Sequence, residues 1–249
     1  MKRTTHLRKI AISLIMILAL ALSSCGKSTG VTSSDTVQWF NNTYAVLTVL
    51  NQRDYRVYSG SSPGIRDKII ARALLENTWN VTNRESADEM LLWLLEEGHR
   101  VPFAEELAYL AEMGLADVPE DQRTEAILDA FELDAQQAKQ YAVWFSLYEK
   151  YDEDAAAAWD YSRAMWLLSY YYLAGYYTAD ESLDQSLTLA ETVQTTFDSW
   201  DSFMESYFAG YEYWSEESSD ARREIYENLK SSSDNPFALN WNTTLEKTW

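Results

Sequence analysis

Apolar residues recur at helical spacing along most of the chain. In the stretch 85–98 they fall at positions i, i+3, i+4, i+7 and i+8, which places one apolar stripe along a helix. These residues are Ala87, Met90, Leu91, Leu94 and Leu95. Thr82-Asn-Arg-Glu85 precedes the stripe and predicts a capping box in which Thr82 caps the helix. Gly98 follows it and predicts a left-handed residue at the helix end.

Similar patterns fill the rest of the chain. Pro102 predicts the start of a helix that ends at Gly114. Pro119 opens another, whose apolar side carries Ile127, Leu128 and Phe131. Further helices are predicted near residues 36–52, 65–78, 136–150, 155–174, 180–196, 199–214 and 219–230. The sequence shows no clear strand pattern and has only 8 glycines and 4 prolines. We therefore expect an all-α fold in a single multi-helix globular domain.

The stretch 155–177 is apolar almost all round, which is typical of the central helix of a bundle. It carries Asp160 and Arg163, which lie three residues apart and can meet on one face of a helix. Two interpretations stay open. The pair is either a structural ion pair that orients neighbouring helices, which we favour, or a polar pair poised in a functional pocket.

The N-terminus has the pattern of a secretory signal. A basic segment up to Lys9 precedes an apolar run from Ile10 to Leu22, which is too short to span a bilayer of about 30 Å. Leu22-Ser-Ser-Cys25 resembles the lipobox of bacterial lipoproteins. The resemblance implies cleavage before Cys25, acylation of this cysteine with chains such as palmitate, and an extracytoplasmic location on the cell membrane or envelope. We therefore divide the chain into a signal peptide (1–24), a lipidated cysteine with a flexible tether (25–35) and a helical domain (36–249).

The charge balance excludes one class of partner. The chain has 39 acidic and 20 basic residues, and four of the basic residues lie in the predicted signal peptide. Its removal would leave 16 basic residues against 39 acidic ones, a formal charge of −23. A field of this sign repels nucleic acids and anionic lipid head groups and favours a basic protein partner.

The motifs offer no clear catalytic or metal chemistry. Gly60-Ser-Ser62-Pro-Gly64 matches the G-x-S-x-G pattern, but Pro63 lacks the N–H that an oxyanion hole would need. With Cys25 as the only cysteine and His99 as the only histidine beyond the signal, the usual zinc ligand sets cannot form. Asp152-Glu-Asp154 is predicted to cap the following helix, and His99 to lie at a helix terminus. We therefore predict no catalytic residue, no cofactor and no metal site.

Several segments resemble the DUF1266 family. The first are Trp79-Asn-Val-Thr-Asn-Arg84-Glu85, Leu92-Trp-Leu-Leu95 and Gly98-His99; the later ones are Trp159-Asp160-Tyr-Ser-Arg163, Ala174-Gly175-Tyr-Tyr177, Phe197-Asp-Ser-Trp200, Ser206-Tyr-Phe-Ala-Gly210 and Trp214. The likeness covers about residues 65–215. It implies a helical fold and no established activity. We take as signature positions Trp79, Arg84, Gly98, Trp159, Gly175, Trp200 and Gly210.

Three hypotheses about function follow. We favour a non-catalytic, membrane-tethered module that binds a protein partner. The alternative is a binder or hydrolase of glycan or peptidoglycan that uses carboxylates and some of the 10 tryptophans and 17 tyrosines. The third is a purely structural envelope protein. An exposed apolar patch above a few hundred Å² would favour the first hypothesis. A pocket that holds two carboxylates about 5–10 Å apart beside exposed tryptophan or tyrosine would favour the second.

Overall fold

The structure, a computed structural model, describes residue 31 and residues 33–249. The predicted signal peptide, Cys25 and most of the tether lie outside this part of the chain. Its eleven α-helices are α1 (Asp35–Thr43), α2 (Ala45–Leu50), α3 (Ile65–Trp79), α4 (Arg84–Glu96), α5 (Arg100–Glu112), α6 (Arg123–Ala130), α7 (Ala135–Tyr151), α8 (Ala157–Ala174), α9 (Ala179–Thr196), α10 (Trp200–Ser215) and α11 (Asp220–Ser231).

The all-α, single-domain prediction is confirmed. The described residues contain no strand. None of their helices has both the length and the hydropathy needed to cross a membrane. The periodicity located most helix ends to within two residues, but the stretch predicted as one helix over 36–52 is broken at Tyr44 into α1 and α2.

Three local predictions need correction. Asn83, not Thr82, caps α4, because the Asn83 side chain accepts a hydrogen bond from the Ser86 N–H while the Ser86 hydroxyl oxygen accepts one from the Asn83 N–H. Helix α5 begins at Arg100, two residues before Pro102. Leu128 points to solvent, since the short helix α6 buries only Ile127 of its predicted apolar side.

Helix α8 is the centre of the molecule, as its sequence predicts. Every residue of this helix except Tyr172 is buried. Helices α3, α4, α9 and α10 pack around it. Its uniformly apolar surface is explained by these neighbours, which leave it no solvent-facing side.

The N-terminus of α8 is capped from another helix. The segment Asp152–Asp154 forms a 3-10 turn, and none of its carboxylates caps α8; the cap position falls on Ala156. The predicted cap is therefore wrong. The Ser206 hydroxyl on α10 instead accepts a hydrogen bond from the Ala158 N–H at 3.2 Å. Helix α8 thus depends on a tertiary contact for its first turn.

A second, smaller core lies beside the first. Helices α5, α6 and α7 bury Phe103, Ile127 and Phe145 against one another. The segment that follows α11 returns to the main core, where Trp241 is buried beside Trp39 and Trp200. The sequence patterns did not predict this closing contact.

Candidate functional site

Asp160 is buried at the point where α8 meets the start of α5. Its side chain has no solvent exposure. The carboxylate accepts hydrogen bonds from the His99 N–H at 2.9 Å and from the Arg100 N–H at 2.9 Å. No side chain from α5 itself caps these groups. Asp160 therefore acts as the N-cap of α5 from a position about 60 residues away in sequence.

Arg163 completes the charge pair that the spacing predicted. Its Nη2 donates to the Asp160 carboxylate and lies 2.8 Å from Nδ1 of His99. Its Nε donates to the Trp159 carbonyl at 3.2 Å. A guanidinium only donates, so the His99 Nδ1 accepts and the ring proton resides on Nε2.

Arg100 joins a third helix to the same site. Its buried side chain donates from Nη1 to the Leu94 carbonyl at 2.7 Å and from Nη2 to the Leu95 carbonyl, near the end of α4. The Arg100 guanidinium also lies 3.8 Å from the Asp160 carboxylate. We call Asp160, Arg163, His99 and Arg100 the polar node. It ties the end of α4, the start of α5 and the middle of the core together.

Tryptophans surround the polar node. The Arg163 guanidinium lies 4.5 Å from the Trp159 ring centroid and 5.8 Å from that of Trp79. The His99 ring packs edge-on against Trp93 at 5.2 Å and Trp214 at 6.3 Å. Cation–π contacts of this kind compensate part of the cost of burying a guanidinium.

The electrostatics of the node follow from these contacts. Burial alone would raise the pKa of Asp160, but the charge of Arg163 and the backbone N–H donors of His99 and Arg100 outweigh it and lower the pKa below its ordinary value. The carboxylate is therefore ionised at neutral pH and already holds hydrogen-bond donors. A carboxylate that is committed in this way has no proton to give and no room to accept one from a substrate.

His99 is likewise not arranged as a catalytic base. Its Nδ1 lies 3.5 Å from the Asp160 carboxylate, but this nitrogen accepts from Arg163 rather than donating to the carboxylate. Within the described residues, the His99 side chain makes a hydrogen bond with Arg163 and none with a serine. Ser62 is exposed outside any helix, which removes the context that a G-x-S-x-G nucleophile requires.

Some signature positions converge on the node and others do not. Trp79, Gly98 and Trp159 contact it, and a Cβ atom on Gly210 would lie 2.4 Å from the Trp159 Cβ. The other three lie apart. Arg84 is exposed and pairs with Glu181, Gly175 ends α8 in a left-handed conformation beside Lys68, and the Trp200 Nε1 donates to the Leu239 carbonyl.

Sequence reasoning missed several members of this region. Arg100 and Arg222 carried no motif; the Arg222 guanidinium stacks 4.0 Å from the Tyr211 ring centroid and donates to the Tyr207 hydroxyl. Trp93 was part of a family-like segment, but no role was predicted for it. Neither the buried Arg100 nor the half-buried Arg222 belongs to a periodic pattern, so nothing in the sequence separated these arginines from surface ones.

Two shallow grooves lie outside the node. One, of about 250 Å³, is lined at one end by Asp201, Trp200 and Tyr226, and Asp201 is its only carboxylate. The other, of about 260 Å³, lies between α4 and α9 and is lined by no carboxylate. Neither groove holds the carboxylate pair that the glycan-hydrolase hypothesis requires.

A strongly acidic surface lies on α5, α6 and their flanking turns. The stretch 105–134 contains ten acidic residues and one basic residue, Arg123. Arg123 is buried and pairs with Glu149. Within the described chain, none of the ten acids takes part in a salt bridge, and all of them except the half-buried Glu106 are exposed. We call this surface the acidic face.

Exposed apolar side chains lie within the acidic face. Tyr109 is 54% exposed and Met113 is 61% exposed; they lie one turn apart on the outer side of α5. Leu128 is 37% exposed on α6. The acidic face therefore combines unpaired carboxylates with exposed apolar groups.

Comparison with known proteins gives a family. A family model described as "Protein of unknown function (DUF1266)" matches residues 74–243. The match covers more than half of the chain, so the chain belongs to this family. The predicted resemblance is confirmed. The matched region begins at residue 74 rather than near residue 65, and it extends past residue 215 to include α11 and much of the segment that follows it. No curated protein and no solved structure matches the chain.

Proposed function

We propose that this chain is a membrane-tethered extracytoplasmic lipoprotein whose helical domain binds a basic protein partner and catalyses no reaction. The lipobox-like Leu22-Ser-Ser-Cys25 supports the tether. The polar node supports the absence of catalysis, because its charged groups are used in joining helices. The acidic face is the observation that carries the binding part of the proposal.

The carboxylates of seven of the ten acids in the acidic face accept no hydrogen bond within the described residues. Asp134 caps α7, and Glu106 and Glu120 accept hydrogen bonds from the Tyr141 and Ser146 hydroxyls. The ten acids form no salt bridges with the described residues, so their mutual repulsion is uncompensated within the domain. A partner that presents lysine or arginine would relieve this repulsion and would be steered to the face at low salt. Tyr109 and Met113 would then supply the apolar contact that holds the complex together.

Photocrosslinking in the native envelope tests this proposal. A photoreactive amino acid at Tyr109 should capture a discrete partner, whereas the same group at Leu50, which is 43% exposed on α2, should not. The captured segment should be basic. Equal capture from both positions, or capture from neither, would contradict the proposal.

Charge reversal supplies the matched control. The variant Glu105→Lys/Glu112→Lys should lose most of the capture from position 109. The variant Glu191→Lys/Glu224→Lys changes the net charge equally on α9 and α11, at exposed acids without salt bridges, and should keep it. An equal loss in both variants would show that only the net charge matters.

A further inference from the structure

The loop before α3 and the first half of this helix are more basic than acidic, unlike the chain as a whole. The stretch 53–72 contains five basic and two acidic residues, in a chain that carries almost twice as many acids as bases. Both acids, Asp54 and Asp67, pair with arginines of the preceding loop. Arg66, Lys68 and Arg72 are exposed, and within the described chain they form no salt bridge.

The same side of α3 exposes large apolar residues. Ile65 is 85% exposed and Ile69 is 63% exposed. At 3.6 residues per turn, Ile65, Ile69 and Arg72 fall within about 60° of one another, with Lys68 and Arg66 on either side. We call these five residues the basic face of α3. The exposed Glu76 continues the stripe one turn further on as its only acid.

Two aliphatic side chains flanked by cations form a pattern that suits an anionic membrane surface. Isoleucine side chains enter the boundary between head groups and acyl chains, while lysine and arginine pair with the phosphates above it. An adjoining side of α3 is occupied, because Ala71 and Leu75 are buried in the core against α8. Arg72 also donates from Nε to the Ala174 carbonyl at 2.9 Å, and Lys68 lies beside Gly175 at the end of α8. Ile65, Arg66 and Ile69 are therefore the members of the basic face that the fold leaves free for a partner.

The position of the predicted lipid anchor agrees with a membrane surface as the partner of the basic face. Asp35, where α1 begins, is the tenth residue after Cys25, so the tether can reach at most about 35 Å. The 3-10 turn Tyr58–Gly60 packs against α1, and α3 begins five residues after it. A lipid on Cys25 would thus hold α3 near the bilayer that carries the anchor.

We infer that the basic face of α3 docks on the anionic lipid surface to which the protein is tethered. This inference rests on the proposed lipid anchor. The strongly negative remainder of the molecule is repelled by the same surface, so the two effects together fix one orientation. The anchor would set the distance to the membrane, and α3 would decide which side of the domain faces it.

An environment-sensitive probe tests the docking directly. If Cys25 is acylated, a second cysteine is the only free thiol in the full lipidated protein, so Ile69→Cys can be labelled with a fluorophore. Met113→Cys, 61% exposed on the acidic face, is the control. On vesicles with 30% phosphatidylglycerol, we expect a blue shift and quenching by lipid-borne quenchers at position 69 and an aqueous spectrum at position 113. An aqueous spectrum at both positions would overturn the inference.

Variants of the α3 charges and vesicles of different lipid composition show whether membrane docking causes the fluorescence shift at position 69. Arg66→Glu/Lys68→Glu/Arg72→Glu should weaken the surface contact on the order of 100-fold and abolish the shift at position 69. Vesicles of neutral phosphatidylcholine should also show no shift. A shift of the same size on neutral vesicles, or in the triple variant, would indicate a protein contact and would overturn the inference.

Failure of the anchor gives a different result. Flotation with neutral vesicles and the mass of the mature chain report acylation of Cys25, independently of α3. A chain without lipid would not float with neutral vesicles, and it would still bind phosphatidylglycerol vesicles through α3 if the docking surface is real. Loss of flotation on both kinds of vesicle by that chain would overturn the docking inference as well.

Discussion

A Cβ atom on Gly98 would lie 2.1 Å from Oδ2 of Asp160. Gly98 has a φ of +60°, which other residues rarely adopt, and it lies between α4 and α5. The missing side chain lets the buried carboxylate approach the His99 and Arg100 N–H groups that it caps. The glycine predicted from the helix pattern as a C-terminal residue therefore also makes room for the charge at the centre of the node.

Gly98→Ala should lower the free energy of unfolding by more than the cost of placing an alanine at a positive φ. Gly114→Ala is the matched control, because Gly114 also has a positive φ, of +96°, but a Cβ there would meet nothing within 4 Å. We expect about 1 kcal/mol for Gly114→Ala and a further loss of a few kcal/mol for Gly98→Ala, measured by urea unfolding. Equal losses would show that the contact with Asp160 is unimportant.

The Asp160–Arg163 pair should show strong coupling in a double-mutant cycle. Asp160→Leu and Arg163→Met should each destabilise the fold by about 3–5 kcal/mol, because each leaves the other charge buried. The double variant should recover only part of this loss, since the His99 and Arg100 N–H groups then lack their acceptor. A double variant as stable as the wild type would contradict the capping role of Asp160.

The contribution of Asp160 should disappear on acidification. Its pKa is lowered in the folded state, so its carboxylate stabilises the fold above the unfolded value of about 3.9, and this stabilisation is lost as the pH falls through the folded value. The difference in free energy of unfolding between the wild type and Asp160→Asn should be constant from pH 7 to about pH 5 and shrink below pH 4. A difference that grows below pH 4 would contradict the lowered pKa.

The lipid anchor has a direct genetic test. Cys25→Ala should abolish labelling with radioactive palmitate and shift the protein to the aqueous phase in detergent partitioning, because no thiol remains for acylation. Ser24→Ala keeps a small residue before the cysteine and should leave labelling intact. Unchanged mature mass and partitioning in Cys25→Ala would exclude the lipoprotein.

The sequence was most informative where structure depends on neighbours along the chain. The apolar period located α4 and α8, and the glycine at position 98 marked a left-handed turn. The sequence was less informative where a hydrogen-bond partner comes from a distant part of the chain. The carboxylates of Asp152 and Asp154 suggested a cap for α8, but the cap comes from Ser206 on α10.

The polar node shows the same limit. The spacing of Asp160 and Arg163 predicted that they could meet, because three residues along a helix bring side chains to one face. That the carboxylate would cap α5 could not be predicted, because the His99 and Arg100 N–H groups become neighbours only when α5 packs near α8. The exposure of Ile65 and Ile69 was equally hidden, since a helical period does not tell which apolar side chains remain uncovered.

We propose that the acidic face binds the partner, whereas the polar node holds the helices of the fold together. The most direct test is the yield of photocrosslinking from position 109 in Arg163→Met, measured well below its melting temperature and expressed per folded molecule. We predict a lower melting temperature with an unchanged yield, whereas Glu105→Lys/Glu112→Lys should show the reverse. Loss of crosslinking in a fully folded Arg163→Met chain would contradict the account and would make the node the binding site.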